Sequence, residues 1–205
     1  MYGSRFISLM SGLGNERVPT MSDFKFGWKP EEPQRYEYPN VWSREKTTGP
    51  ERLVIAPTSD HISLMIELSN VMLEPFWVLY VLTVPRGEGE AARYQNAEPI
   101  GREEAVRFLS RFKQFFESDG RCHLWLKSVS NSDLLVYDKH NVIYGYGQLS
   151  AFEEILSKRG MEKVEDLRFP SPHIHNYRSE FDAPARELLN YWKWTQSSLH
   201  DSDEN

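Results

Sequence analysis

His173 and His175 are separated by a single isoleucine in the stretch Ser171-Pro-His-Ile-His175. In an extended backbone, residues two apart point to the same side, so both imidazoles can reach one metal ion. A metal centre takes a third and usually a fourth donor. His123, His140, Glu180 and Asp182 carry suitable atoms, but nothing in their spacing brings any of them to the pair. The sequence alone therefore assigns no metal and no cofactor. A metal-assisted, hydrolase-like enzyme around His173 and His175 stands as an alternative reading, with the loop over residues 86–101 as its lid.

A second group comes from strand periodicity. Cys122 to Val129 alternates, with Cys122, Leu124 and Leu126 on one face and His123, Trp125 and Lys127 on the other. Leu134 to Asp138 and Val142 to Tyr146 read as a hairpin turning through Lys139, His140 and Asn141. Pairing Tyr137 with Val142 sets Leu135 against Tyr144 and Val136 against Ile143. In that register His123, Trp125, Lys127, Tyr137 and Tyr144 share one face, with Leu135 and Tyr146 beside them and His140 at the turn. Tyrosine, tryptophan and histidine at the centre of an open sheet have the composition of a protein-binding hot spot. The bland counterpart is a helix over residues 102–118 packing across the same face.

Other nucleophile-like arrangements have plainer explanations. Cys122 falls in phase with Leu124 and Leu126, on the face assigned to the core, where a thiol is inert. Ser59, Asp60 and His61 adjoin one another, but triads are assembled by the fold, and helix capping accounts for the serine and aspartate. Tyr144-Gly-Tyr-Gly147 lacks the further glycine and the Lys or Ser/Thr of a phosphate-binding loop.

The net charge of −6 argues against a domain that binds nucleic acid or an anionic membrane by neutralising phosphates. One cysteine forms no intramolecular disulfide, which fits a reducing, cytoplasmic setting. The longest apolar run, Phe76 to Leu82, falls far short of the ~20 residues of a spanning helix, and Phe6 to Met10 is too short for a signal-peptide core.

The elements that must position these residues follow from periodicity and punctuation. Glycines and prolines through the first fifty residues read as a loop-rich N-terminal arm. Residues 1–21 are expected to lack fixed structure or to be an upstream extension ahead of Met21, while the aromatics from Phe24 to Trp42 dock the rest of the arm. Strands are expected at Arg52 to Ala56 and Phe76 to Val84, and a very apolar helix over residues 59–72. Gly120 is read as the left-handed cap ending the helix over 102–118. Ser150 and Glu153 read as a capping box opening a helix that Gly160 stops, and a last helix is expected over residues 183–196. The expected fold is α+β: an antiparallel or mixed sheet of about four to five strands packed by three to four helices, in one domain over residues 22–198, with 199–205 a disordered acidic tail.

In general character, an acidic, aromatic-rich α+β chain without a catalytic signature resembles the small bacterial immunity and adaptor proteins that bind one partner. That resemblance is one of type and rests on no specific residues. It implies a protein-binding module using His123, Trp125, Lys127, Tyr137, His140 and Tyr144. A homo-oligomeric structural subunit joined through the helix over 59–72 is the third reading.

Overall fold

Alternation in the Cys122 to Ser128 stretch survives in the computed structural model, which describes residues 24–87 and 89–203. Residues 1–21, expected to be an extension, lie outside the described residues. The arm that follows carries three strands, β1 (Phe26–Trp28), β2 (Gln34–Arg35) and β3 (Val41–Glu45). After it come β4 (Arg52–Ala56), α1 (His61–Ser69), β5 (Phe76–Leu82) and β6 (Ala92–Asn96). The middle of the chain forms α2 (Arg102–Arg111), α3 (Lys113–Ser118), β7 (Cys122–Ser128), β8 (Leu134–Tyr137), β9 (Ile143–Tyr146) and α4 (Leu149–Lys158). The last segments are β10 (Glu162–Lys163), β11 (His173–His175), α5 (Asp182–Leu189) and β12 (Trp194–Ser197).

The α+β class holds, with five α-helices among the described residues, but the sheet is larger than expected. Nine strands are ordered β10-β3-β4-β9-β8-β7-β5-β6-β12, and a separate three-stranded sheet is ordered β11-β1-β2. The large sheet is mixed, since β10 runs parallel to β3 and the other pairings are antiparallel. The strands that periodicity missed include β3, five residues inside the arm read as loop-rich, and β6, Ala-Arg-Tyr-Gln-Asn inside the segment expected to be a lid loop, while β1, β2, β11 and β12 have two to four residues each.

Helices cover one face of the large sheet. Leu53, Ile55, Tyr80, Leu124, Leu126, Leu135, Tyr137 and Ile143 join residues of α1, α2, α3 and α4 in the main core. The helix expected over 102–118 is broken at Phe112, yet Ala105, Phe108, Leu109, Phe115 and Phe116 all point inward as the spacing requires. Ile62, Leu64, Met65 and Leu68 of α1 are buried in the chain's own core. No helix among the described residues is long and apolar enough to cross a membrane.

Several punctuation signals act differently from expectation. Asp60 precedes α1 in a left-handed conformation without capping it and instead pairs with Lys113 at 2.9 Å. Gln148, not Ser150, precedes α4, and no side chain caps that helix, whereas Gly160 follows its end at φ +71° as expected. The last helix stops at Leu189 and gives way to β12, which pairs with β6 and forms the edge of the large sheet. His200 to Asp203, expected to belong to a disordered tail, includes a 3-10 turn (Asp201–Asp203), with the Asp203 side chain buried.

The opposite face of the large sheet is only partly covered. A small second cluster of Phe26, Tyr38, Val41, Val54, Ala56 and Val142 ties the three-stranded sheet to it, and the rest opens into a cavity.

A candidate metal centre beside the sheet cavity

The β8–β9 hairpin decides which side chains face the cavity. Asp138 and Val142 pair through two hydrogen bonds, from the Asp138 amide to the Val142 carbonyl and from the Val142 amide to the Asp138 carboxylate, both at 3.0 Å. Only Lys139, His140 and Asn141 form the turn, with Asn141 left-handed at φ 62°. Tyr137 therefore pairs with Ile143 rather than Val142, and Val136 with Tyr144. This slip of one residue inverts the expected face. Tyr137 and Leu135 belong to the helix-covered core, where His61 stacks on Tyr137 at 5.3 Å.

The cavity side of the sheet becomes a grid. Trp125, Val136, Tyr144 and Val54 lie in one cross-strand row, and Lys127, Leu134, Tyr146 and Arg52 in the next. Continuing the β7–β8 register by one pair puts His123 opposite Asp138. The cavity holds about 530 Å³ and is walled by His123, Trp125, Leu134, Val136 and Tyr144, with Phe169 across from them.

At the turn end of this cavity His140 and His173 stand in its lining, with His175 grouped beside them. Each offers a ring nitrogen, and the three atoms lie within 4.8 Å of one another. Two sheets assemble them. The hairpin turn supplies His140, while β11 supplies His173 and His175 on one face, paired across from Trp28 and Phe26 of β1. The Phe26 ring lies 5.5, 5.7 and 5.5 Å from the His140, His173 and His175 rings, a common apolar platform beneath all three.

Local contacts orient the imidazoles. His140 Nδ1 sits 2.8 Å from Asp138 Oδ2, so a proton on Nδ1 leaves the Nε2 lone pair outward. His173 Nδ1 faces the Pro170 carbonyl at 3.3 Å, which favours the same tautomer. Neither nitrogen of His175 has a hydrogen-bond partner among the described residues, although both are buried. An unsatisfied buried polar atom costs about 1–3 kcal/mol, so this ring is where a ligand would relieve most.

Charge follows from burial. Desolvation pushes His175 down to about 3, with His140 next in effect, and pushes His123 down to about 4, so both are neutral bases near pH 7. Burial is the largest single effect on the Asp138 carboxyl and would raise it, but the hydrogen bond and charge of His140, the nearby His123 and the Val142 amide together hold it below the usual carboxylate range.

Three imidazoles, one of them backed by a carboxylate, form a donor set for a borderline transition-metal ion such as Zn²⁺, and not for Mg²⁺ or Ca²⁺. Around a tetrahedral ion at ~2.1 Å the nitrogens would stand roughly 3.4 Å apart, so small ring rotations close the site.

The residues picked out from sequence divide. His123, Trp125 and Tyr144 line the cavity, and His140 lies at its end. Tyr137 is on the other side of the sheet, and Lys127 is tied by its ammonium to the Ser128 and Asn131 carbonyls. His173 and His175 gain His140 as third donor, while Asp182 is held by Arg121 and Arg86 elsewhere. Sequence reasoning missed Asp138, Phe26 and Arg52. The available signal was Asp138 itself, a carboxylate two residues before a turn histidine. Comparison with protein-family models, curated proteins and solved structures finds no match to this chain.

Proposed function

We propose that His140, His173 and His175 hold one transition-metal ion and that the chain is a metal-assisted, hydrolase-like enzyme acting on a small molecule in the adjoining cavity. The carrying observation is the convergence of three ring nitrogens within 4.8 Å, one of them from the half-buried His175, whose buried nitrogens have no hydrogen-bond partner among the described residues. Three protein ligands leave a coordination position for water or substrate, the pattern of catalytic rather than structural sites. An ion held there would lower the pKa of a bound water and polarise a substrate carbonyl.

The chain's own groups supply the rest. Asp138 fixes His140 and increases its basicity as a ligand. His123, buried in the cavity wall with Nε2 unpartnered among the described residues, is a neutral proton acceptor. Trp125, Val136 and Phe169 provide apolar walls for the substrate body.

Hydrolysis of 4-nitrophenyl acetate by chain loaded with Zn²⁺, compared with chelator-treated chain and His175→Ala, tests the reading. Metal-dependent turnover lost in the variant supports it. Equal background rates in all three would count against an enzyme.

A further inference from the structure

Arg52 stands in the cavity wall with a guanidinium whose position is set from three sides. Nε donates to Glu45 at 2.6 Å, Nη1 donates to the Tyr146 hydroxyl at 3.0 Å, and the plane lies over the Tyr144 ring at 4.4 Å. Nη2 has no partner among the described residues. A cation so fixed loses little freedom when it takes an anion.

Its distance from the histidines follows from the strand register. Arg52 pairs with Tyr146, and Asp138 is bonded to Val142, four residues back and just before β9. At ~3.3 Å per residue those rows are about 13 Å apart, and the guanidinium leans inward over Tyr144, so it stands on the order of 10 Å from the metal-binding end. Trp125 and Val136 cover the interval with apolar surface.

The charge around the cavity narrows the class. The two carboxylates in the lining each have a partner that offsets their repulsion of an incoming anion, the His140 ring for Asp138 and Arg93, at 3.6 Å, for Asp203, which leaves Arg52 as the cation facing the cavity. One partly neutralised guanidinium matches a carboxylate monoanion, whereas a phosphate dianion is held by several cations. Resting on the metal reading above, we propose that the substrate is a small organic acid whose carboxylate is anchored by Arg52, with an apolar spacer of about 10 Å leading to the bond at the metal.

The test compares two hydroxamates binding to the full chain loaded with Zn²⁺. Suberic acid monohydroxamate carries a carboxylate at the far end, and octanohydroxamate has the same length without it. The acid is expected to bind about tenfold more tightly, an advantage abolished in Arg52→Met and enlarged in Glu45→Gln, which releases the guanidinium from its partner. Glu45→Gln alters an exposed side chain and keeps the test available if Arg52→Met fails to fold. Equal affinities for the two hydroxamates, or an acid advantage that survives Arg52→Met, would overturn the anchor while octanohydroxamate binding upholds the metal. A chain that retains no zinc and binds neither compound overturns both.

Discussion

Asp138 and His140 are locked together twice. Asp138 Oδ2 takes the His140 ring nitrogen at 2.8 Å, and Oδ1 accepts the His140 amide at 2.9 Å. The same carboxylate thus shapes the turn and aims the imidazole that the turn carries. Asp138→Asn keeps an oxygen for the amide but not an anion for the ring. It is expected to weaken zinc affinity roughly 10–100-fold, read by competition with a chromogenic chelator, with little change in far-UV circular dichroism.

Gly120 lies where the backbone after α3 passes under β11. A Cβ there would stand 3.1 Å from His175 Cβ and from the Lys25 carbonyl, and 3.2 Å from the Asn176 carbonyl. Its φ is not among the positive values, so the residue is required for close approach and not as a left-handed cap. Gly120→Ala is expected to cost about 1–3 kcal/mol in urea unfolding and to weaken metal binding by displacing His175. Unchanged stability would show that the two backbones separate easily.

Asn141 sets the hairpin register through its φ of 62°, and its side chain accepts the Tyr137 hydroxyl at 2.7 Å. Asn141→Ala forces a Cβ residue without that bond into the left-handed region and is expected to destabilise by roughly 1–2 kcal/mol. Asn141→Gly, which tolerates the conformation, is expected to lose less. Thermal unfolding of the pair checks the order.

His61 is buried against Tyr137, and burial, followed by the nearby Lys25 and Lys113 charges, pushes its pKa from 6.5 to about 3. The unfolded chain therefore binds a proton that the folded chain refuses between those values. Stability is full above pH 6.5 and falls as pH drops below it, by on the order of 1.4 kcal/mol per unit for this group. His123 acts in the same sense. His61→Phe keeps a stacking ring and removes the proton site, so urea midpoints of metal-free protein between pH 6.5 and 4 are expected to fall less steeply in the variant.

The sequence made the helix-covered core legible because its signals are strong and local. Phe108, Leu109, Phe112, Phe115 and Phe116 repeat at helical spacing, and Cys122, Leu124 and Leu126 alternate, so their inward faces were readable without the fold. The cavity face depended on one turn. A three-residue loop rather than a four-residue one moved Tyr137 into the core and left Val136 facing outward, and only the Asp138–Val142 pairing and the Asn141 conformation distinguish the two. The His-X-His pair was visible, but its third donor lies more than thirty residues earlier and reaches it through the pairing of β11 with β1, strands too short to carry a periodic signal. A non-local contact of that kind is made by the fold and leaves no spacing to read.

The central claim is that one ion binds at His140, His173 and His175 with a position left for an outside ligand. Titration of the metal-free chain with Co²⁺, followed by visible absorption, tests it directly. One equivalent is expected to produce the intense bands of a tetrahedral site, shifted on adding acetohydroxamate and lost when any of the three histidines is changed to alanine. Absorption typical of hexa-aqua Co²⁺ throughout, or a tetrahedral spectrum unaffected by His140→Ala and His175→Ala, would contradict it.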